Sequence, residues 1–307
     1  MKRSFALNCS TAGILIAALA QTSARSESLS TTSPAPVAAP STSLPSSRYG
    51  LFNALDHRSF YNEGNFPEPF LVDDTGLELD EARLDWRHDN GGPQAHADEV
   101  LMEVEHGFGL LTLELAVPYV REVESGAVTQ GIGNIELGAR HPVYQFVSEK
   151  GFFDTTCGVG IEVAVPASPD LSVNTEIVPK VFNDTRIGNH FTVQTLLGYS
   201  TLVGGGGEGG TRNFEYGFVF GYSIDRPVTP IPSIQQFIPM FELTGETGLN
   251  QSNRGQTSLL GDACFRVYLK PFRGIQPRLG AGYVFPLNDV AREETKWGVI
   301  TSLVFEY

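Results

Sequence analysis

Three things are scarce in this chain. Its 307 residues include three cysteines, and basic residues are outnumbered, 21 Lys and Arg against 35 Asp and Glu. There is also no run of about 18 apolar residues, which excludes spanning helices. Beyond the leader only Cys157 and Cys264 remain, with no Cys-x-x-Cys, so a disulfide framework and a structural zinc site are excluded. A net charge of −14 without basic patches excludes nucleic acid as a partner. Hydrophobic residues make up 41% of the chain, a value shared by soluble proteins and by outer-membrane barrels.

What is present begins with a leader. Lys2 and Arg3, the apolar stretch Ala12 to Ala20, and the small-x-small pairs Ala18/Ala20 and Thr22/Ala24 predict a secretory signal peptide over 1–24. Its apolar run is too short to span a bilayer. Cys9 precedes that run, whereas a lipid-anchored cysteine comes after it, so a lipid anchor is rejected. Residues 25–48 are rich in Ser, Thr, Pro and Ala and nearly free of large apolar groups, which predicts a disordered linker. Residues 49–76 are aromatic and punctuated by Pro67 and Pro69. They are expected to form an ordered N-terminal arm docked on the region from Leu77 onward, with Leu51, Phe52, Phe60 and Phe66 as a candidate plug.

From Leu77 to Tyr307 one period dominates: apolar residues at every second position over stretches of roughly ten. Leu111, Leu113, Leu115, Val117 and Tyr119 alternate with Thr112, Glu114 and Ala116; Phe214, Tyr216, Phe218, Phe220 and Tyr222 alternate with Asn213, Glu215, Gly217, Val219 and Gly221. About twelve such stretches start near 77, 97, 110, 132, 152, 175, 188, 212, 235, 257, 275 and 295. A length of roughly 9–12 residues suits a tilted strand crossing a bilayer. The expected fold is therefore all-β: an antiparallel transmembrane barrel of about 12 strands over 77–307, apolar outside, with small and charged residues inside.

The connections are expected to alternate in length. Short turns are predicted at 107–109, 148–151, 184–187 and 270–274, and long loops at 87–96, 120–130, 167–174, 201–211 and 247–256. The long link 223–234 breaks the rule. The closing Phe305-Glu306-Tyr307 is an aromatic termination of the kind that barrel assembly machinery reads, which places the chain in an outer membrane of Gram-negative type, with membrane lipid and that machinery as partners.

Catalytic signals are thin. His57 and Ser59 lie close in the arm, and His190 precedes a strand without a serine on its face, so an enzyme is not expected. The four glycines 204–207 lack a following Gly-Lys-Ser/Thr and read as a flexible loop, not a phosphate cradle. No HExxH or calcium-loop spacing occurs, and neither metal nor cofactor is expected. The inward positions carry the chemistry. Glu136, Arg140, Glu162, Glu215, Glu242, Asp262, Arg266 and Arg278 are the candidate lumen-lining residues, either as an ion-paired lining that holds the barrel's shape or as an acidic-biased conduit. Cys157 is expected outside and Cys264 inside, which rules out a disulfide between them.

The stretch GIGNIELGARHPVY, beginning at Gly131, is similar to the strand that marks the outer-membrane transporter family named for the MetA pathway of phenol degradation. That family's strand reads Gly-x-Gly-Asp-x-x-Leu-Gly-x-Lys/Arg-Tyr after a long loop. Gly131, Gly133, Leu137, Gly138 and Arg140 match, Asn134 replaces the Asp, and His141-Pro142 replaces the aromatic. The likeness covers about 110–166. It implies a channel or transporter passing small solutes, hydrophobic or aromatic ones among them, by passive passage through the lumen. A closed structural barrel with its function in the loops, an outer-membrane hydrolase and a soluble secreted β-protein stand as alternatives.

Overall fold

The computed structural model describes residues 66–73, 80–147, 152–205, 208–225, 228 and 231–307. The signal peptide, the linker and most of the arm, with Leu51, Phe52, His57, Ser59 and Phe60, lie outside the described residues.

Fourteen strands form a single antiparallel sheet: β1 (Glu81–Gly92), β2 (Ala95–Phe108), β3 (Leu111–Glu124), β4 (Ala127–Ile132), β5 (Asn134–Val147), β6 (Phe153–Pro166), β7 (Thr175–Ile187), β8 (Phe191–Val203), β9 (Arg212–Tyr222), β10 (Ile224–Asp225), β11 (Ile234–Gly248), β12 (Thr257–Leu269), β13 (Gln276–Pro286) and β14 (Trp297–Glu306). Twelve of them are long staves, each paired with its sequence neighbour; β4 adds to β3 alone, and the two-residue β10 extends the line of β9 along β11. The sheet closes because β14 also pairs with β1, from Glu81 opposite Glu306 to Asn90 opposite Trp297. Closure leaves the long staves no free edge, so their ladder donors and acceptors pair inside the wall. The result is the closed 12-stranded barrel that the period-2 pattern predicts.

Alternation decides which face is which. Leu84, Leu113, Leu115, Leu137, Ile161, Phe220, Leu279 and Phe305 are exposed on the outer wall, while Arg83, Glu114, Arg140, Asp184, Glu242, Asp262 and Arg278 on the opposite face are buried. A wall apolar outside and charged inside inverts the soluble arrangement, and hydrocarbon is the solvent that satisfies it. The shortest long stave, β14, has 10 residues. At about 3.3 Å per residue and a tilt of about 40° it rises about 25 Å, the height of a bilayer's apolar band. Exposed aromatics gather at both levels: Phe108, Phe146, Phe191, Tyr222 and Phe305 near the turns, and Tyr119, Tyr199, Phe214, Tyr283 and Trp297 on the loop-side halves.

The connections hold two corrections. The stretches 87–96 and 120–130, expected as loops, are strand: β1 and β2 pair out to Gly92 opposite Ala95, and β3 and β4 out to Glu124 opposite Ala127. Both hairpins turn through two residues. Past the lipid band an outer position needs no apolar residue, so a strand there becomes polar on both faces and imitates a loop. The turn expected at 184–187 starts four residues later, over 188–190, because Asp184 and Arg186 continue β7's inward row. The link 167–174 is a loop as expected, the loops expected at 201–211 and 247–256 start a few residues late because β8 runs to Val203 and β11 to Gly248, and a six-residue helix, α1 (Asp289–Glu294), fills the connection between β13 and β14. Its N-cap Asn288 accepts from the Ala291 amide at 3.0 Å. Residues 148–151 lie outside the described residues.

Candidate functional site

The interior is not an open polar tube. Residues 66–73 lie inside it as a segment outside the sheet that bends over Phe70 to Val72. Such a segment brings its own unsatisfied backbone, and inside a barrel each of those groups needs a partner. Here the wall supplies them. The Phe66 carbonyl accepts from the Tyr268 hydroxyl at 3.4 Å and the Pro67 carbonyl from Gln194 Nε2 at 2.7 Å. The Glu68 carbonyl accepts from Arg266 Nε at 2.9 Å, and the Pro69 carbonyl from Arg83 Nη2 at 2.7 Å and Arg266 Nη2 at 3.2 Å. The next three amides turn to one acid. Phe70 donates to Glu242 Oε1 at 2.8 Å, and Leu71 and Val72 donate to Oε2 at 2.8 and 3.2 Å.

The sequence FPEPF suits this path. Pro67 and Pro69 carry no N–H, so two donors that would need acceptors are absent, and the prolines fix the chain as extended. Carbonyls come first and meet cations and an amide; free amides come after and meet a carboxylate. The side chains divide likewise. Phe70 and Val72 pack into an apolar cluster with Leu196, Val219, Ile238, Met240, Val284 and Ile300. Glycines make the room: a Cβ at Gly217 would fall on the Val72 side chain, and one at Gly280 on the Phe70 ring.

The eight candidate lining residues are all on the inner wall, and six of them fall into two groups. Arg140 bonds to Glu105 and, at 3.0 Å, to Glu114 Oε2; Lys180 bonds to Glu162 and to Asp73 of the segment. Oxygens of Asp73, Glu114 and Glu162 come within 4.8 Å of one another, so Arg140 and Glu162 belong to one network. Gly138, matched in the family motif, leaves the space that Glu114 uses to reach Arg140. The second group is Glu242, Arg266 and Arg278, which meet the segment, with Asp262 beside Glu242. Arg278 meets the Glu68 carboxylate, Glu306 and, at 3.8 Å, Glu81; its guanidinium lies 4.6 Å from the Tyr268 ring centroid. Arg266 lies 4.0 Å over the Phe70 ring. Glu136 and Glu215 are half-buried on the same wall.

Two partners escaped the pattern: Glu68 and Asp73. They lie before the period-2 region, where alternation carries no face information. The signal available was Pro67-Glu68-Pro69, an acid between two residues that cannot donate. The apolar half of the interior was also missed, and Leu196, Val219, Ile238, Val284 and Ile300 at inward positions were its signal.

Other chemistry is weaker. Glu242, Asp262 and Cys264 bring three metal-ligand atoms within 4.8 Å, but three amides already hold both Glu242 oxygens. His190 Nδ1 contacts Ser223 at 2.8 Å through the carbonyl, not the hydroxyl that a nucleophile would need. Cys157 sits on the outer wall, where Asn183 Nδ2 approaches its sulfur at 3.1 Å, and Cys264 is buried; both are free thiols. Beside Phe70, between Asp85, Arg87, Glu99 and Ile300, is a cavity of about 50 Å³. That is space for a water or two.

Among solved structures the chain is similar to an outer membrane channel from Pseudomonas putida F1, with 14% identity and a TM-score of 0.51 over 76% of this chain and 98% of that one. This likeness shows the barrel fold. The NanC porin (10% identity, TM-score 0.45, 75% and 99% of the two chains) and the KdgM porin (13%, 0.41, 73% and 99%) are also similar. No family model and no curated protein matches the chain.

Proposed function

We propose that this chain is an outer-membrane channel for small organic solutes, working by passive passage and closed in this state by residues 66–73. The observation that carries the reading is the barrel's inverted polarity combined with an interior in which charged wall residues hold a segment that is not part of the wall. A wall built only to hold its shape would pair its charges with one another. Here Arg266 and Glu242 on the wall bond to backbone groups of the segment. Export by the leader, assembly by the barrel machinery and residence in the outer membrane of a Gram-negative-type bacterium complete the proposal. The strand around Gly131 to Arg140 supports membership of the MetA-pathway transporter family, and with it a solute class that includes hydrophobic or aromatic compounds. Gly131 and Gly133 of that strand lie where the chain passes from β4 to β5, and Arg140 is locked to two acids.

Deletion of 66–73 tests the reading. The deleted barrel should conduct ions in planar bilayers well above the full chain and admit small solutes in liposome swelling. Cys264, buried in the cluster with Phe70 and Val72, should then react with a small water-soluble maleimide. Reactive Cys264 without conductance or swelling would refute the channel and favour the closed structural barrel.

A further inference from the structure

Four wall residues around Glu68 form a compact unit. Arg266 on β12 pairs across the ladder with Gly280 on β13, and Tyr268 pairs with Arg278. The two guanidiniums therefore stand on one diagonal, with a ring and a bare backbone on the other. Glu68 and Phe70, two apart in the segment, both reach Arg266. Glu68 is fully buried; its carboxylate contacts Arg278 and lies 3.9 Å from Arg266 Nε. The Phe70 ring lies under Arg266 and against Gly280, where any side chain would displace it. Together the segment presents a carboxylate and, a few ångströms along, a flat apolar ring to a pair of arginines.

We infer that this unit is a binding site for an organic carboxylate bearing an aromatic or similarly flat apolar group, and that Glu68 and Phe70 occupy it as the chain's own surrogate. The inference rests on the channel reading and names its solute class. Arginine suits the role because its fork receives a carboxylate while its face stacks on a ring. Gly280 keeps the slot flat. The acids nearby, Glu81 and Glu306 on Arg278 and Asp85 on Arg83, keep the three arginines from forming a nonspecific anion trap. A solute that takes the Glu68 position competes with a tethered group at high effective concentration, so it binds weakly while the surrogate is in place. Displacing Glu68 would loosen the segment, which couples solute arrival to opening.

The experiment uses phenylacetate as probe and the full-length barrel in detergent or nanodiscs, with calorimetry as the readout. Glu68→Gln removes the negative charge that competes for the two arginines and should bind phenylacetate at least tenfold more tightly than the wild type. The neutral isostere phenylacetamide should gain nothing. Adding Arg278→Lys, which keeps the charge but loses the fork, should remove most of the gain without the risk to folding of a neutral substitution. In the wild type, saturating phenylacetate should speed amide exchange at Phe70, Leu71 and Val72, the amides that Glu242 holds. Equal phenylacetate affinity in the wild type and Glu68→Gln, or an equal gain for phenylacetamide, would overturn the inference and leave the channel intact. The expected affinities without conductance from any variant would keep the site and reject the channel.

Discussion

Glu242 offers the sharpest test of what holds the segment in the barrel. Its carboxylate is the acceptor for three consecutive amides at 2.8, 2.8 and 3.2 Å, and it is fully buried. Hydrogen bonds to a charged group contribute about 1.5–3 kcal/mol each. Three of them set a ceiling of about 5–9 kcal/mol, but bonds sharing one carboxylate are not additive. Glu242→Gln keeps one carbonyl oxygen, hence one or two weaker bonds of about 1 kcal/mol. The expected loss is about 2–4 kcal/mol, and at about 1.4 kcal/mol per factor of ten this is a 30- to 1000-fold faster amide exchange at residues 70–72. Glu242→Leu removes the acceptor altogether and should do at least as much. The assay is hydrogen exchange on the peptide covering 66–73 in lipid nanodiscs, with the β11 amides paired to β9 and β12 as unchanged internal controls. The competing grip is apolar: losing a buried Phe side chain costs about 3–5 kcal/mol, so Phe70→Ala should act on the same scale. If exchange at 70–72 stayed at the wild-type rate in both Glu242 variants while Phe70→Ala accelerated it, packing and not the carboxylate would hold the segment.

Gly217→Val places a branched side chain where Val72 sits, so it should expel the segment and raise bilayer conductance while circular dichroism still shows a folded β-barrel. Arg140→Met leaves the acids Glu105 and Glu114, both buried, without the cation between them. Breaking one side of such a buried group costs about 3–5 kcal/mol, which a lowered urea midpoint in the refolding equilibrium should report. The sequence has two tryptophans, Trp86 and Trp297, both exposed on the outer wall and joined through the His88 ring. Brominated lipids should therefore quench the protein's tryptophan emission strongly and aqueous iodide weakly; the reverse pattern would contradict a lipid-facing wall.

The part of the fold that was legible in the sequence is the part a bilayer dictates. Between the two lipid surfaces the outer face must be apolar at every second residue, so strand number and face came from alternation alone. Leu113 and Leu115 outside with Glu114 inside is one such reading, and the buried Glu114 agrees with it. Beyond the lipid that demand stops. Arg87 to Gly92 and Val120 to Glu124 are strands whose outer positions could be polar, and polarity alone was a poor guide there. Inside the barrel the demand is different again, because it is set by whatever fills the space. Alternation fixes that Glu242 points inward, but its partners are 170–172 residues away in sequence. No local pattern encodes a contact of that span.

The inward apolar residues carry the strongest argument about the interior, because they fit neither a water-filled conduit nor an ion-paired lining. Val219, Ile238 and Val284 are fully buried on staves β9, β11 and β13, so they gather on one side of the lumen. Apolar side chains facing a water-filled lumen would forgo about 1.5–3 kcal/mol each, and the wall elsewhere shows that charged residues fit those positions. Covering them requires an apolar partner, and Phe70 and Val72 provide it from the same segment whose amides Glu242 holds. The polar grip and the apolar grip thus depend on one element. Removing it exposes three valine- or isoleucine-sized side chains, a bare carboxylate and two arginines at once. The apolar side of that surface and the two arginines beside it are the features that the proposed site for a ring-bearing carboxylate uses. Swelling rates with the segment deleted should accordingly favour phenylacetate over an uncharged sugar of similar size, and equal rates for the two would remove the apolar wall from any part in selection.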